Sequence, residues 1–287
     1  MSVRMFKTSF GSRLLSILFL LLLWNQFYAN DRDETLLKNL SGSAGMEGTL
    51  VKSAGSSSFY LVHSGRKRLI TPFVLRQLGF EEASAQTMGE KDLAQIPSGS
   101  AIPPKDGTLL KSEETSIIFF VAQEQLHSVS RFVFVHRKFK NKDLIRIKKN
   151  EVDQWPHGKP LPPPDGMLLR GAVRPAVYLI QEGKRFWVDM DVFKVRKFDF
   201  KSVMVIPDSE LENLEYHQLD FPNKTLVRIL SDPTVFVFLN GSMRGINLPF
   251  FKKCNFRFEE VNMISPSKFK TYPRGADLTE SDCPLAP

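Results

Sequence analysis

The 287-residue sequence is poor in the features that usually carry chemistry. It contains no Gly-x-Ser-x-Gly, no His-Glu-x-x-His and no glycine-rich phosphate loop, so the common signatures of nucleophilic hydrolases, zinc proteases and nucleotide-binding enzymes are missing. Its two cysteines, Cys254 and Cys283, have no neighbouring histidine pair and do not make a zinc site. Tyrosine and tryptophan number five and three, against 24 phenylalanines. Phenylalanine has no polar handle and packs rather than recognises, which leaves Trp187 and Trp155 as the candidate exposed platforms. Long apolar runs are absent too. The run from Leu14 to Trp24, broken by Ser16, is about eleven residues, short of the roughly 20 that span a bilayer.

What is present begins with that run. Arg4, Lys7 and Arg13 precede it and Ala29 follows, which reads as a secretory signal peptide over 1–29, with an uncleaved signal anchor as the alternative. Removing it takes away three positive charges and no negative one, so the net charge falls from +8 to +5. Residues 30–46 are polar, turn to Ser and Gly near their end, and read as a flexible linker. Export permits a disulfide between Cys254 and Cys283, closing a loop of roughly 30 residues; two free thiols are the alternative. Hydrophobic content of 42% and charged content of 24% argue against global disorder.

The remaining chain repeats itself. Four copies start at Gly48, Gly107, Gly166 and Lys224, in "EGTLVK", "DGTLLK", "DGMLLR" and "NKTLVR". Aligned without gaps, Tyr60, Phe119, Tyr178 and Phe236 share one offset, and Gly65, Glu124, Gly183 and Gly241 another. Leu75, Phe134, Phe193 and Phe251 share a third, and Phe80, Phe139, Phe198 and Phe256 a fourth. The blocks are 47–105, 106–164, 165–222 and 223–287.

Each block reads as β-β-β-α-β plus a last helical turn. "GTLVK" is a strand after a Gly turn, and "VYLI" is a second strand apolar enough to be buried on both faces. "EGKR" or "SGRKR" is a hairpin turn, and "RFWV" is the returning strand. "MDVFKVRKF" is a short helix with Val192, Val195 and Phe198 inward, and "SVMVI" and "DLIRI" are fourth strands. Asp208 or Ser265 is a candidate N-cap of the last turn, and Pro266 suits its first position. One such unit cannot bury both faces of its sheet, whereas four can. The expected fold is mainly β with short helices: four tandem β-β-β-α-β repeats in a small propeller-like ring, with an open linear array as the alternative.

The motifs Gly-Thr-Leu-Val-Lys, Val-Tyr-Leu-Ile, Gly-Lys-Arg, Gly-Phe, Glu/Asp-Leu and Ile-Pro-x-Gly resemble a tandem repeat of secreted and surface-attached bacterial proteins. The likeness covers 47–280. It implies an extracellular, non-enzymatic module. The count of four and the "VYLI-x-x-GKRFW" hairpin also look superficially like hemopexin-type four-bladed propellers, an analogy of architecture alone.

No catalytic residues, metal ligands or cofactors are assigned. His63, His127, His136, His157 and His217 fall at five different offsets. Asp92, Glu151 and Glu210 recur at one offset, with Lys268 in the fourth copy, and suit a helix N-terminus better than acid–base work. Candidate ligand-binding residues are basic: Arg66, Lys67, Arg68, Lys184 and Arg185 at hairpin tips, and Arg137, Lys138, Lys140 and Lys142 within the segment 131–149, with Trp187 as a platform. Phe134 and Phe139 in that segment are expected in the core. Such bases suit an anionic envelope polymer, a glycan, a surface protein or a peripheral membrane contact rather than specific nucleic acid. The expected function is an exported non-catalytic binding module; the alternatives are a secreted enzyme or inhibitor with a central site, and a structural spacer.

Overall fold

The computed structural model describes residues 45–283. The expected signal peptide and nearly all of the expected linker lie outside the described residues. Contacts gather the chain into two compact units. One runs up to Leu126 and includes Ile145–Gly158; the other holds His127–Leu144 and the chain from Lys159 onward.

Among the described residues the fold is mainly β, with four separate sheets, two of five strands and two of four. Each sheet draws its strands from one block. In the third block Leu168–Gly171, Val177–Gln181 and Lys184–Val188 form an antiparallel meander, and Met204–Ile206 returns parallel to the first strand. Tyr216–Gln218 adds a short parallel edge beside the third strand. The first block repeats this order with Leu50–Ser53, Phe59–His63, Arg66–Ile70, Gln86–Met88 and Ser98–Gly99. In the other two blocks the outer edge is reduced to isolated bridges, Leu126 to His157 and Met243 to Arg274.

The crossover to each parallel fourth strand carries a helix: Pro72–Leu78, Arg131–His136, Met190–Val195 and Leu248–Lys253. One offset supplies all four N-caps. Thr71 Oγ1, Ser130 Oγ, Asp189 Oδ1 and Asn247 Oδ1 accept from the backbone N–H groups of Val74, Val133, Val192 and Phe250. These satisfy donors that the first helical turn leaves open.

The recurrent phenylalanines clasp the other end of each helix. Gly79, Lys138, Lys197 and Asn255 take left-handed φ of 80°, 59°, 53° and 56°. The next residue then donates its N–H back into the helix: Phe80 to Leu75, Phe139 to Phe134, Phe198 to Phe193 and Phe256 to Phe251, at 3.0–3.1 Å. The rings in the last three pairs meet edge-on at 5.6–5.8 Å. This is the 6→1 closure with its hydrophobic contact that ends many helices. Phe134 and Phe139 are therefore half-buried clasp residues, not the deep core expected from their spacing.

Each of the first three helices packs on the sheet of the following block. Val74 and Leu75 join Leu110, Phe119, Leu126 and Trp155. Phe132 lies against Leu169 and Ile180. Val192 and Phe193 join Val227, Phe236 and Met243. The last helix packs Phe250 and Phe251 on Leu226, Val237 and Ile246 of its own block, together with Leu278 of the tail. Burying a large apolar side chain contributes roughly 1.5–3 kcal/mol, so these interlocks dominate local stability.

Two local expectations change. The strand "VYLI" is not buried on both faces: Ile180 is fully buried, but Val177, Tyr178 and Leu179 are half-buried, and Tyr178 turns a ring face to the Arg185 guanidinium. Asp208 is not an N-cap; it lies inside the helix Asp208–Glu212, and its carboxylate accepts the Val173 N–H at 3.1 Å. Ser265 does cap Pro266–Phe269, accepting from Lys268 N at 3.2 Å, with Pro266 at the first position.

Candidate binding surfaces

The hairpin tips are closed by acids. Glu47 accepts the N–H groups of Ser64 and Gly65, Asp106 those of Gln123 and Glu124, and Asp165 those of Glu182 and Gly183. Asn223 does the same for Asn240. The first residue of each block is thus a bracket for the tip seventeen residues on, and both tip residues hold positive φ. The backbone N–H bonds hold the Glu47 carboxyl below its ordinary pKa, with lesser help from His63 at 2.9 Å.

The tip bases are occupied by the fold. Arg66 donates to Ser98 O at 3.2 Å, and Lys67 donates to Leu93 O in the helix Glu90–Gln95. Arg68 donates to Ser100 O at 2.9 Å and pairs with Glu124 at 2.7 Å, which lowers the pKa of that carboxyl. Lys184 lies 3.7 Å from Glu215, whose pKa is lowered chiefly by its hydrogen bond with His217. Arg185 sits between the rings of Tyr178 and Tyr216, 5.3 and 5.8 Å from their centroids. Lys67, Arg68 and Arg185 are half-buried and held by these contacts, while Arg66 stays exposed.

The basic segment divides in two. Arg137 is structural: its guanidinium donates to Pro162 O at 3.1 and 2.9 Å, as Arg196, one block later, donates to Asp220 O. Lys138, Lys140 and Lys142 are exposed, and none enters an ion pair among the described residues. They follow the helix Arg131–His136 on a turn fixed by the Phe134–Phe139 clasp.

Trp187 and Trp155 part company. Trp155 is 2% exposed and belongs to the core of the first unit. Trp187 is half-buried and lines a cleft of about 720 Å³ in the second unit. Val177, Trp187, Met190 and Phe200 supply an apolar wall from the third block, and Ser267 and Thr271 face it from the fourth. Phe200 is 57% exposed and stacks on Phe193 at 4.1 Å.

An ion pair borders this cleft. Lys268, 5% exposed, places its ammonium 2.5 Å from Asp189 Oδ2, over the rings of Phe221 and Tyr272. The two atoms pair by distance, yet neither takes part in a directed hydrogen bond. Asp191 accepts from Ser265 N and Oγ, tying the third block to the fourth. Burial and the nearby Asp220 carboxylate raise the Tyr272 phenol above its ordinary pKa, and its hydroxyl donates to Asp220 Oδ1 at 3.0 Å. The acids at the Lys268 offset do more than favour a helix dipole: Glu210 accepts from Ser130 Oγ, the helix cap of the preceding block, at 2.8 Å.

Cys254 and Cys283 are joined by a disulfide, with Cα atoms 5.7 Å apart. Among the described residues, no group of three His, Cys, Asp or Glu could hold a metal ion, and no helix is long and apolar enough to cross a membrane.

No family model matches the chain. Protein CgeD of Bacillus subtilis (strain 168) is 25% identical over 126 residues, a match covering 40% of this chain and 28% of that protein's length. Among solved structures, the periplasmic assembly from the ESX-5 inner membrane complex matches over 84% of this chain and 96% of its own, at 8% identity and a TM-score of 0.19. The EccB3 dimer from the ESX-3 core complex matches over 63% and 65%, at 14% identity and the same TM-score.

Proposed function

We propose that the chain is an exported, non-catalytic repeat module that holds an anionic polymer of the cell envelope on the lysine turn Lys138, Lys140 and Lys142. The observation that carries this reading is a contrast. The other candidate bases spend their donors on backbone carbonyls, carboxylates or tyrosine rings, whereas these three stand in solvent on a fixed turn. A rigid row of cations attracts a polyanion and gains from counterion release, with no need for directed hydrogen bonds. The Cys254–Cys283 bridge supports an oxidising compartment. We read 47–105, 106–164, 165–222 and 223–287 as four repeats of one module.

The test is retention of the protein on immobilised polyphosphate across a salt series. Three phosphate contacts predict a log–log slope of about −2 to −3. Replacing Lys138, Lys140 and Lys142 together by Ser should flatten that slope and leave the thermal midpoint unchanged. Arg137 stays, because removing it would free the Pro162 carbonyl. Equal retention by the triple variant would refute the assignment.

A further inference from the structure

The cleft beside Trp187 is not explained by polyanion binding. Its bordering carboxylates, Asp189 and Asp191, outnumber the one ammonium of Lys268, so it does not favour an anion. We propose that it is a second site, which holds a neutral pyranose unit of a glycan.

The chain contains its own control. The junction of the second and third blocks has a smaller cleft at the same place, about 260 Å³, lined by Ser128, Ser130 and Glu210. The equivalent positions at the third junction are Trp187, Asp189 and Lys268. Arg131 and Asn141 likewise become Met190 and Phe200. One junction has thus gained a wide aromatic wall and a volume of about 720 Å³, within the roughly 300–1,000 Å³ of small-ligand sites. Structural packing needs neither change, since the smaller junction is held by the same interlock of helix on sheet.

The two walls differ in chemistry. Trp187, Met190 and Phe200 offer flat, polarisable, half-exposed surface, while Gln218, Ser267 and Thr271 offer an amide and hydroxyls. A pyranose has the same asymmetry, an apolar C–H face and a rim of hydroxyls. At the margin, Lys268 Nζ and Asp189 Oδ2 are buried without a directed hydrogen bond. Both atoms are shielded from the cleft, so a ligand meets its two walls and not this pair. A neutral ligand also leaves their mutual charge balance intact, which a charged ligand would disturb.

The experiment is calorimetric titration of the full chain with cellotetraose, chitotetraose and maltotetraose in 0.5 M NaCl, where binding at the lysine turn is screened. At least one should bind saturably. Trp187→Ala, which removes the platform, and Ser267→Trp, which fills the mouth from an exposed position, should each weaken it about tenfold or more, a loss of about 1.4 kcal/mol. The triple lysine variant should bind it normally, which separates this site from the polyanion site. Failure of all three sugars, binding unaltered by both substitutions, or binding instead of the uncharged peptide acetyl-Gly-Phe-Leu-Gly-amide would each overturn the proposal.

Discussion

Asp189 and Lys268 form a buried ion pair, 2.5 Å apart, where the preceding junction places Ser130 and Glu210 in hydrogen-bond contact at 2.8 Å. The roles are exchanged between the partners. Where the helix cap is a hydroxyl, the next block brings a carboxylate; where the cap is a carboxylate, the next block brings an ammonium. At these two junctions the cap matches its successor, and a swapped order would set Asp189 against Glu210. Buried ionic groups often add little net stability, but they penalise wrong pairings severely.

The first prediction follows from that exchange. Asp189→Ala or Lys268→Ala alone strands a buried charge and should cost about 3–5 kcal/mol. The double variant Asp189→Ser with Lys268→Glu copies the preceding junction and should recover most of that loss, because Ser still caps the helix. Urea denaturation of the two corresponding single variants and the double variant would measure the coupling. Additive losses would show that the partners do not act as a pair.

The acid bracket at the first hairpin tip predicts a pH dependence. The Glu47 pKa is depressed, mainly by the Ser64 N–H bond. A depressed carboxyl contributes stability that is fully present above its unfolded pKa, about 4.3, and is lost as pH falls through the lower folded value. Hydrogen exchange at Ser64 and Gly65, corrected for intrinsic rates, should lose protection in that acid window. In Glu47→Gln the step should vanish, with protection uniformly lower above it.

Backbone strain yields a third prediction. Lys197 stands at φ 53° where the first block has Gly79, and Lys224 at φ 68° where the other three blocks have glycine. A left-handed residue with a Cβ costs roughly 1–2 kcal/mol, partly offset by the larger entropy that glycine loses on folding. Lys197→Gly and Lys224→Gly should each stabilise by up to about 1 kcal/mol, or roughly 2–4 °C, and together they should add. Calorimetry of the three variants checks this; a fall in midpoint would mean that the lysine side chains hold contacts worth more than the strain.

Much of this was readable from residue order. The strand–strand–strand–helix–strand order is local, set by turn glycines and short apolar runs, and it appears in all four sheets. The offset shared by Thr71, Ser130, Asp189 and Asn247 carried an equally clear signal, since all four are strong helix N-caps, as did Glu47, Asp106 and Asp165 at the block starts. The partners of the basic tips could not be read from residue order, for a physical reason. Whether Arg68 meets solvent or the carbonyl of Ser100 depends on the path of a linker 32 residues away. The same holds for Trp155 and Trp187, whose burial is decided by the next element to pack on them. The cleft could not be seen at all, because its walls come from two successive blocks, with facing residues such as Trp187 and Ser267 80 positions apart.

The last prediction concerns the tail. In the second and third blocks the residue after the crossover helix is an arginine, Arg137 or Arg196, that holds the outgoing linker by a carbonyl. The fourth block has Cys254 there, bonded to Cys283 at the end of the described tail. Within that loop Leu278 pairs with Gly245 and packs on the last helix, and Arg244 donates to Ala276 O. Non-covalent contacts alone would hold a short terminal segment weakly, so the bridge takes the arginine's place. Closing a loop with a separation of 29 residues contributes about 3 kcal/mol in the chain-entropy model. Cys254→Ser should therefore lower the thermal midpoint by roughly 6–12 °C. It should also expose 276–283 to limited proteolysis while 168–218 stays protected. An unchanged midpoint with an unchanged cleavage pattern would mean that Leu278 and Arg244 suffice, and the bridge would then not be what secures the end of the fourth block.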